Sequence, residues 1–155
     1  MKVVHLCLGS FYPDNYSYQE NLLPKFHKEL GHCVEVIAST QSFDENGKVC
    51  FLKNIGTYQN EYDIKVTRLP YKSGAKIWKK LKRYQGCYET LKSVNPDIIF
   101  IHGGQFLDID QVVRYVKEKP GITVYVDNHA DFSNSATNWF SKNILHKIVW
   151  KHCEQ

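Results

Sequence analysis

Short apolar runs alternate with longer amphipathic segments along most of the chain. Four runs rich in β-branched residues predict buried strands, at residues 2–8, 33–38, 97–102 and 122–126. Between them, apolar side chains recur at spacings of three and four, which is typical of helices packed on a sheet. This alternation predicts an α/β domain with a Rossmann-like, three-layer architecture and a mostly parallel sheet.

The first helix follows the first strand after a polar loop. It carries four apolar residues at helical spacing: Leu22, Leu23, Phe26 and Leu30. Gly31 would end it. Asn21 would cap this helix if Pro24 lies in its first turn, and otherwise Pro24 kinks a longer helix.

The regular alternation is interrupted once and resumes. Residues 43–71 predict a β excursion with short strands at 49–52 and 64–69, and a basic helix is predicted over residues 75–94. Another helix begins near Asp108. The last helix, with apolar residues over 140–149, reaches the end of the chain without a cap, which we interpret as a cut at a domain boundary.

Composition narrows the function classes. A hydrophobic fraction of 43% and a charged fraction of 23% are usual for one folded soluble domain. The start of the chain does not resemble a signal peptide, so we expect a cytoplasmic protein. Five cysteines occur without a C-x-x-C pair, which favours neither a disulfide framework nor a zinc site.

Four motifs in a fixed order carry a family resemblance, and the first of them spans two segments. The loop G-S-F-Y-P at 9–13 precedes L-G-H-C-V-E-V-I at 30–37, and V-T-R-L-P follows at 66–70. N-P-D-I-I-F-I-H at 95–102 and V-Y-V-D-N-H-A-D at 124–131 complete the set. Together they resemble the N-terminal domain of family 4 retaining glycosyltransferases, which have the GT-B fold. The glycine pair that this family places before its first helix is absent here, where residues 15–20 are N-Y-S-Y-Q-E.

The resemblance implies a function for the whole chain. Such a domain forms the acceptor side of an enzyme that transfers a sugar from a nucleotide-sugar donor to a polysaccharide or lipid-linked acceptor. The donor-binding domain of that family, with its paired glutamates, has no counterpart in these 155 residues. The resemblance implies retention of anomeric configuration, no metal and no other cofactor, and a fragment inactive alone.

Loops after three strands are predicted to line the site, because open α/β sheets bind ligands at the carboxyl ends of their strands. His129 follows the last strand, where an imidazole can donate to a sugar hydroxyl and balance charge as a diphosphate leaves. The resemblance makes His129 the predicted catalytic residue. The predicted substrate-binding residues are Gly9, Ser10, Phe11, Tyr12, His102, Gly103, Gly104 and Asp131.

Other interpretations of these residues remain open. Asp127 and Asp131 flank His129, and they could act as acid and base, bind a metal, or serve as turn and cap residues. A small phosphatase or hydrolase is therefore one alternative, although the chain has no G-x-S-x-G elbow and no D-x-H on its first strand. The other alternative is a stand-alone, non-catalytic binding module on the same fold.

The predicted helix over 75–94 begins with clustered positive charge. Six residues predict a peripheral contact with the inner face of a membrane: Lys76, Trp78, Lys79, Lys80, Lys82 and Arg83. The alternative is a surface helix whose apolar stripe faces the core. Nucleic acid is not predicted as a partner, because no stacking platform or recognition motif accompanies the charge.

The assignment of His129 yields a direct prediction. In the polypeptide of natural length, His129→Ala should lower the turnover of sugar transfer by at least about tenfold, since one positioned acid–base or electrostatic group contributes that much or more. Turnover is measured with a saturating nucleotide sugar, and circular dichroism checks that the variant is folded. A folded variant with unchanged turnover would remove His129 from the site.

Overall fold

The computed structural model describes residues 1–53, 56–128 and 138–153. The strands among them are β1 Lys2–Cys7, β2 Cys33–Ser39, β3 Gln41–Phe43, β4 Val49–Phe51, β5 Thr57–Gln59, β6 Lys65–Leu69, β7 Ile98–His102 and β8 Thr123–Asp127. Six of these form one sheet in the order β5-β6-β2-β1-β7-β8. Its neighbours run parallel except for β5, which pairs antiparallel with β6.

Helices cover both faces of this sheet. They are α1 Gln19–Glu29, α2 Ile77–Lys80, α3 Cys87–Val94 and α4 Ile109–Glu118, and a π-helical segment, Ser141–Trp150, continues as a short α-helical turn, Lys151–Cys153. On one face, Leu6 and Ile101 pack with Leu91 of α3 and Val112 of α4. On the other face, α1 packs on β1 and β2. The predicted Rossmann-like three-layer α/β fold is confirmed.

The β excursion is confirmed, and its strands belong to two different sheets. β3 and β4 form a separate antiparallel pair, whereas β6 extends the main sheet beside β2. The sequence did not predict β5, which is only three residues long and pairs at the edge of the sheet. Edge strands this short carry too little alternation to stand out from a loop.

The proposed capping role of Asn21 is wrong. Helix α1 begins at Gln19 after Tyr18, so Asn21 lies within its first turn and Pro24 lies inside the helix. Asn21 is fully buried, and its Nδ2 donates to the carbonyl of Pro13 at 2.9 Å. The side chain therefore ties the helix to the loop after β1 instead of capping a backbone N–H.

The single basic helix over 75–94 is also wrong. The structure has the four-residue α2 and the eight-residue α3, with Lys82 at φ 51° and Gly86 at φ 76° between them. The buried carboxylate of Asp108 accepts from Arg83 Nε at 2.9 Å and from the backbone N–H of Tyr84 at 2.5 Å. These tertiary contacts hold the chain in a turn where the apolar spacing alone favoured a helix.

The other two predicted helices are present. Helix α4 follows Asp108 as expected, and the C-terminal segment is helical but wound as a π-helix over Ser141–Trp150. Across residues 1–53, 56–128 and 138–153, no helix has both the length and the apolar character needed to cross a membrane.

Candidate functional site

Two glycines bring the loops after β1 and β7 into backbone contact. A Cβ built on Gly9 would lie 1.9 Å from the carbonyl oxygen of Gly103, a distance that no side chain tolerates. Gly103 has φ 75°, in the left-handed region that favours glycine. Its N–H donates to the carbonyl of Asp127 at 2.9 Å, which adds the end of β8 to the same edge. The carboxyl ends of three adjacent parallel strands are thus joined by main-chain contacts.

Asp127 places a carboxylate at this edge. Its Oδ2 accepts from Nε2 of Gln19, the first residue of α1, at 2.8 Å, and lies 3.4 Å from Nδ1 of His102. His102 is buried, whereas the side chain of Asp127 keeps 16% of its surface exposed. The site therefore has an accessible acceptor that is positioned from both the helix and the sheet.

Lys82 contributes a cation to the same region. Its ammonium donates to the carbonyl of Gly9 and lies 5.8 Å from the centre of the Trp150 ring. Burial of this group lowers the pKa of Lys82 to about 8. Because a trans peptide holds C=O and N–H in opposite directions, the contact also sets the direction of the Ser10 N–H.

The structure brings together some of the predicted site residues. Gly9, Ser10, Gly103 and Gly104 lie at the carboxyl edge of the sheet, as does His102. His129 and Asp131 lie outside the described residues.

The two aromatic residues predicted to bind substrate are placed differently. Tyr12 is fully buried, its hydroxyl accepts from Asn60 Nδ2 at 2.8 Å, and burial raises its pKa. Phe11 stacks on Phe43 of β3 with ring centres 5.0 Å apart. Tyr12 therefore serves packing in this structure, and Phe11 contacts the β3–β4 pair.

Three residues of the edge were not among the predicted site residues in these roles. The sequence predicts Lys82 at a membrane surface, leaves Asp127 open between catalysis, metal binding and turn capping, and carries no signal for Gln19. Asp127 could be predicted from the sequence, because it directly follows the predicted strand at 122–126. The roles of Gln19 and Lys82 depend on contacts 108 and 73 residues away along the chain.

Comparisons of the chain with protein-family models, with curated proteins and with solved structures found no match. Among the described residues, no group of three or more His, Cys, Asp or Glu side chains is arranged to hold a metal ion.

The contact between Gly9 and Gly103 predicts unequal effects of two glycine substitutions. Gly9→Ala should destabilise the fold by about 2–3 kcal/mol, since backbone atoms must move apart. Gly104→Ala is the matched control, because its Cβ would meet only Val126 Cγ1 at 3.7 Å. Urea unfolding of both variants measures the difference, and equal effects would contradict the close contact.

Lys82 predicts a specific pH dependence of stability. Its pKa is about 8 in the folded protein and about 10.4 in an unfolded chain. Between these values the unfolded state binds the extra proton, so the contribution of Lys82 to stability rises with pH. The buried thiols of Cys7 and Cys87, whose pKa values are raised, act in the opposite direction.

The comparison with Lys82→Met isolates this contribution. Both proteins are unfolded with urea between about pH 7 and about pH 10. The free energy of unfolding of the wild type should increase relative to that of the variant as the pH rises. Two stability curves that stay parallel would mean that the ammonium of Lys82 is solvated.

Proposed function

We propose that this chain is the acceptor-side domain of a retaining, metal-independent glycosyltransferase. A sugar would pass from a nucleotide-sugar donor to a polysaccharide or lipid-linked acceptor at the carboxyl edge of the sheet. A second domain would hold most of the donor, and the 155-residue chain alone would be inactive.

The observation that carries the proposal is the contact of Gly9 with Gly103 at the ends of β1 and β7. Ligands of open parallel sheets bind outside the carboxyl ends of the strands. Two glycine loops that touch there present main-chain atoms without intervening side chains. A saccharide, with donors and acceptors around its ring, suits a surface of that kind.

The polar groups around the glycines fit the same class of ligand. Gly9, Ser10, Gly103 and Asp127 are all half-buried, so they are accessible yet held in place. Asp127 can accept from a sugar hydroxyl, and Lys82 directs the Ser10 N–H through the Gly9 peptide. The transferred sugar would meet His129, which continues the chain two residues after Asp127.

We place the activity in the cytoplasm, with the membrane contact of the basic segment as a subsidiary hypothesis. Part of that segment has partners within the chain. Lys79 lies 3.4 Å from the centre of the Phe51 ring, Lys80 lies 4.9 Å from that of Phe140, and Arg83 pairs with Asp108. Arg83 also lies 5.6 Å from the centre of the half-buried Trp78 ring, so the exposed Lys76 is the residue through which the segment would first meet a lipid surface.

A transfer assay tests the proposed function. The polypeptide of natural length is incubated with radiolabelled uridine, guanosine and thymidine diphosphate sugars and with a membrane fraction as the source of acceptor. We expect label to enter lipid or polysaccharide, and a chelator to leave the rate unchanged. No incorporation from any donor, together with chelator-sensitive hydrolysis of phosphate esters, would replace the proposal with the phosphatase alternative.

A pair of carboxylate variants tests the site itself. Asp127→Asn should lower turnover by about tenfold or more, because the amide weakens acceptance from a sugar hydroxyl at the edge. Asp110→Asn is the control, since Asp110 is an exposed carboxylate on α4 that pairs with His152 at 3.3 Å. Equal turnover in the two variants would place the reaction elsewhere.

A further inference from the structure

Three histidines form a continuous hydrogen-bonded chain between α1 and the sheet. His5 of β1 is fully buried, with its Nδ1 2.9 Å from Nε2 of His102 and its Nε2 3.0 Å from Nδ1 of His27. The chain ends at the candidate site, where Nδ1 of His102 lies 3.4 Å from Oδ2 of Asp127. A half-buried helix residue is thereby linked through two buried imidazoles to the carboxylate of the edge.

One aromatic ring covers all three members of this chain. The centre of the Phe100 ring lies 5.4 Å from that of His5, 4.9 Å from that of His102 and 6.3 Å from that of His27. Burial lowers the pKa of His5, and the neighbouring His102 and His27 lower it further. Burial and His32 also lower the pKa of His27. His5 and His27 are therefore neutral at neutral pH, each with one N–H and one acceptor nitrogen.

The two hydrogen bonds and the nearby carboxylate together favour one tautomer for each ring. The negative charge of Asp127, whose Oδ2 lies 3.4 Å from Nδ1 of His102, favours a proton on that nitrogen, so Nε2 of His102 accepts. His5 must donate from Nδ1 and accept at Nε2, and His27 must in turn donate from Nδ1. All three rings are Nδ1–H tautomers, and the acceptor nitrogen of His27 is the far end of the chain.

We propose that His5 and His27 are positioning residues of the candidate site, acting through His102 on the Asp127 carboxylate. His5 reaches the edge through its hydrogen bond with His102, and His27 reaches it through His5. Each hydrogen bond favours the tautomer in which the next ring donates from Nδ1. The Nδ1–H of His102 then faces Oδ2 of Asp127 at 3.4 Å, the same oxygen that accepts from Gln19. The effect on turnover rests on the proposed function, whereas the chain of tautomers does not.

The tautomers are measured directly by nuclear magnetic resonance. Long-range ¹H–¹⁵N correlation spectra of ¹⁵N-labelled protein at neutral pH distinguish a protonated from an unprotonated ring nitrogen. We expect a protonated Nδ1 and an unprotonated Nε2 for His5, His27 and His102. An Nε2–H tautomer at His5 or His102 would overturn the proposal whatever the protein catalyses.

Two variants of His27 separate positioning from packing. His27→Leu removes the donor to His5, whereas His27→Asn keeps an N–H close to the position of Nδ1. In His27→Leu we expect the ring signals of His102 to shift toward a mixture of tautomers, transmitted through His5, which is hydrogen-bonded to both residues. In His27→Asn the His102 signals should keep the wild-type pattern.

Turnover provides the second readout. In the polypeptide of natural length, His27→Leu should lower kcat by about tenfold with KM little changed, since a small misplacement of a reacting group has effects of that order. His27→Asn should recover at least half of the wild-type rate. Equal loss in both variants, or unchanged His102 signals in His27→Leu, would show that His27 only packs. If the tautomers are as stated but no donor sugar is transferred, the proposed function is wrong, whereas the hydrogen-bonded arrangement of the three histidines is confirmed.

Discussion

The backbones of Gly9 and Gly103 touch, and the candidate site depends on that contact. It requires glycine at Gly9 because any Cβ would overlap the facing carbonyl, and it brings the loop after β1 against the loop after β7. The N–H of Gly103 then pairs with Asp127, and the carbonyl of Gly9 receives Lys82. Main-chain groups of both glycines thus contact the residues that carry the charged side chains of the edge.

In the otherwise apolar layer between α1 and the sheet, polar side chains also support the carboxyl edge. His5 lies in the central strand, where Val4 and Leu6 face the opposite core. A buried imidazole is tolerated there because both of its nitrogens have partners. The rings join α1, β1 and β7, so helix and sheet position Asp127 together.

The sequence predicts the layers well because parallel strands buried on both faces read as apolar runs. It also predicts the glycine loops, since each glycine directly follows an apolar run and can be recognised from its neighbours in the sequence. It does not predict the break between α2 and α3, which Asp108 imposes from 24 residues away. The histidine chain is equally hidden, because its members are spread from position 5 to position 102 and meet only when β1 and β7 become neighbours. Residues that become neighbours only through the order of the strands cannot be recognised as a group from the sequence.

The most direct test of the account is to map saccharide binding on the protein. Amide ¹H–¹⁵N spectra are recorded while monosaccharides and oligosaccharides are added to the labelled chain. We expect saturable shifts at Gly9, Ser10, Gly103 and Asp127, with the amides of β5 and β6 at the other edge of the sheet unaffected. Saturable binding confined to another surface, or no binding at the carboxyl edge by any saccharide, would contradict it.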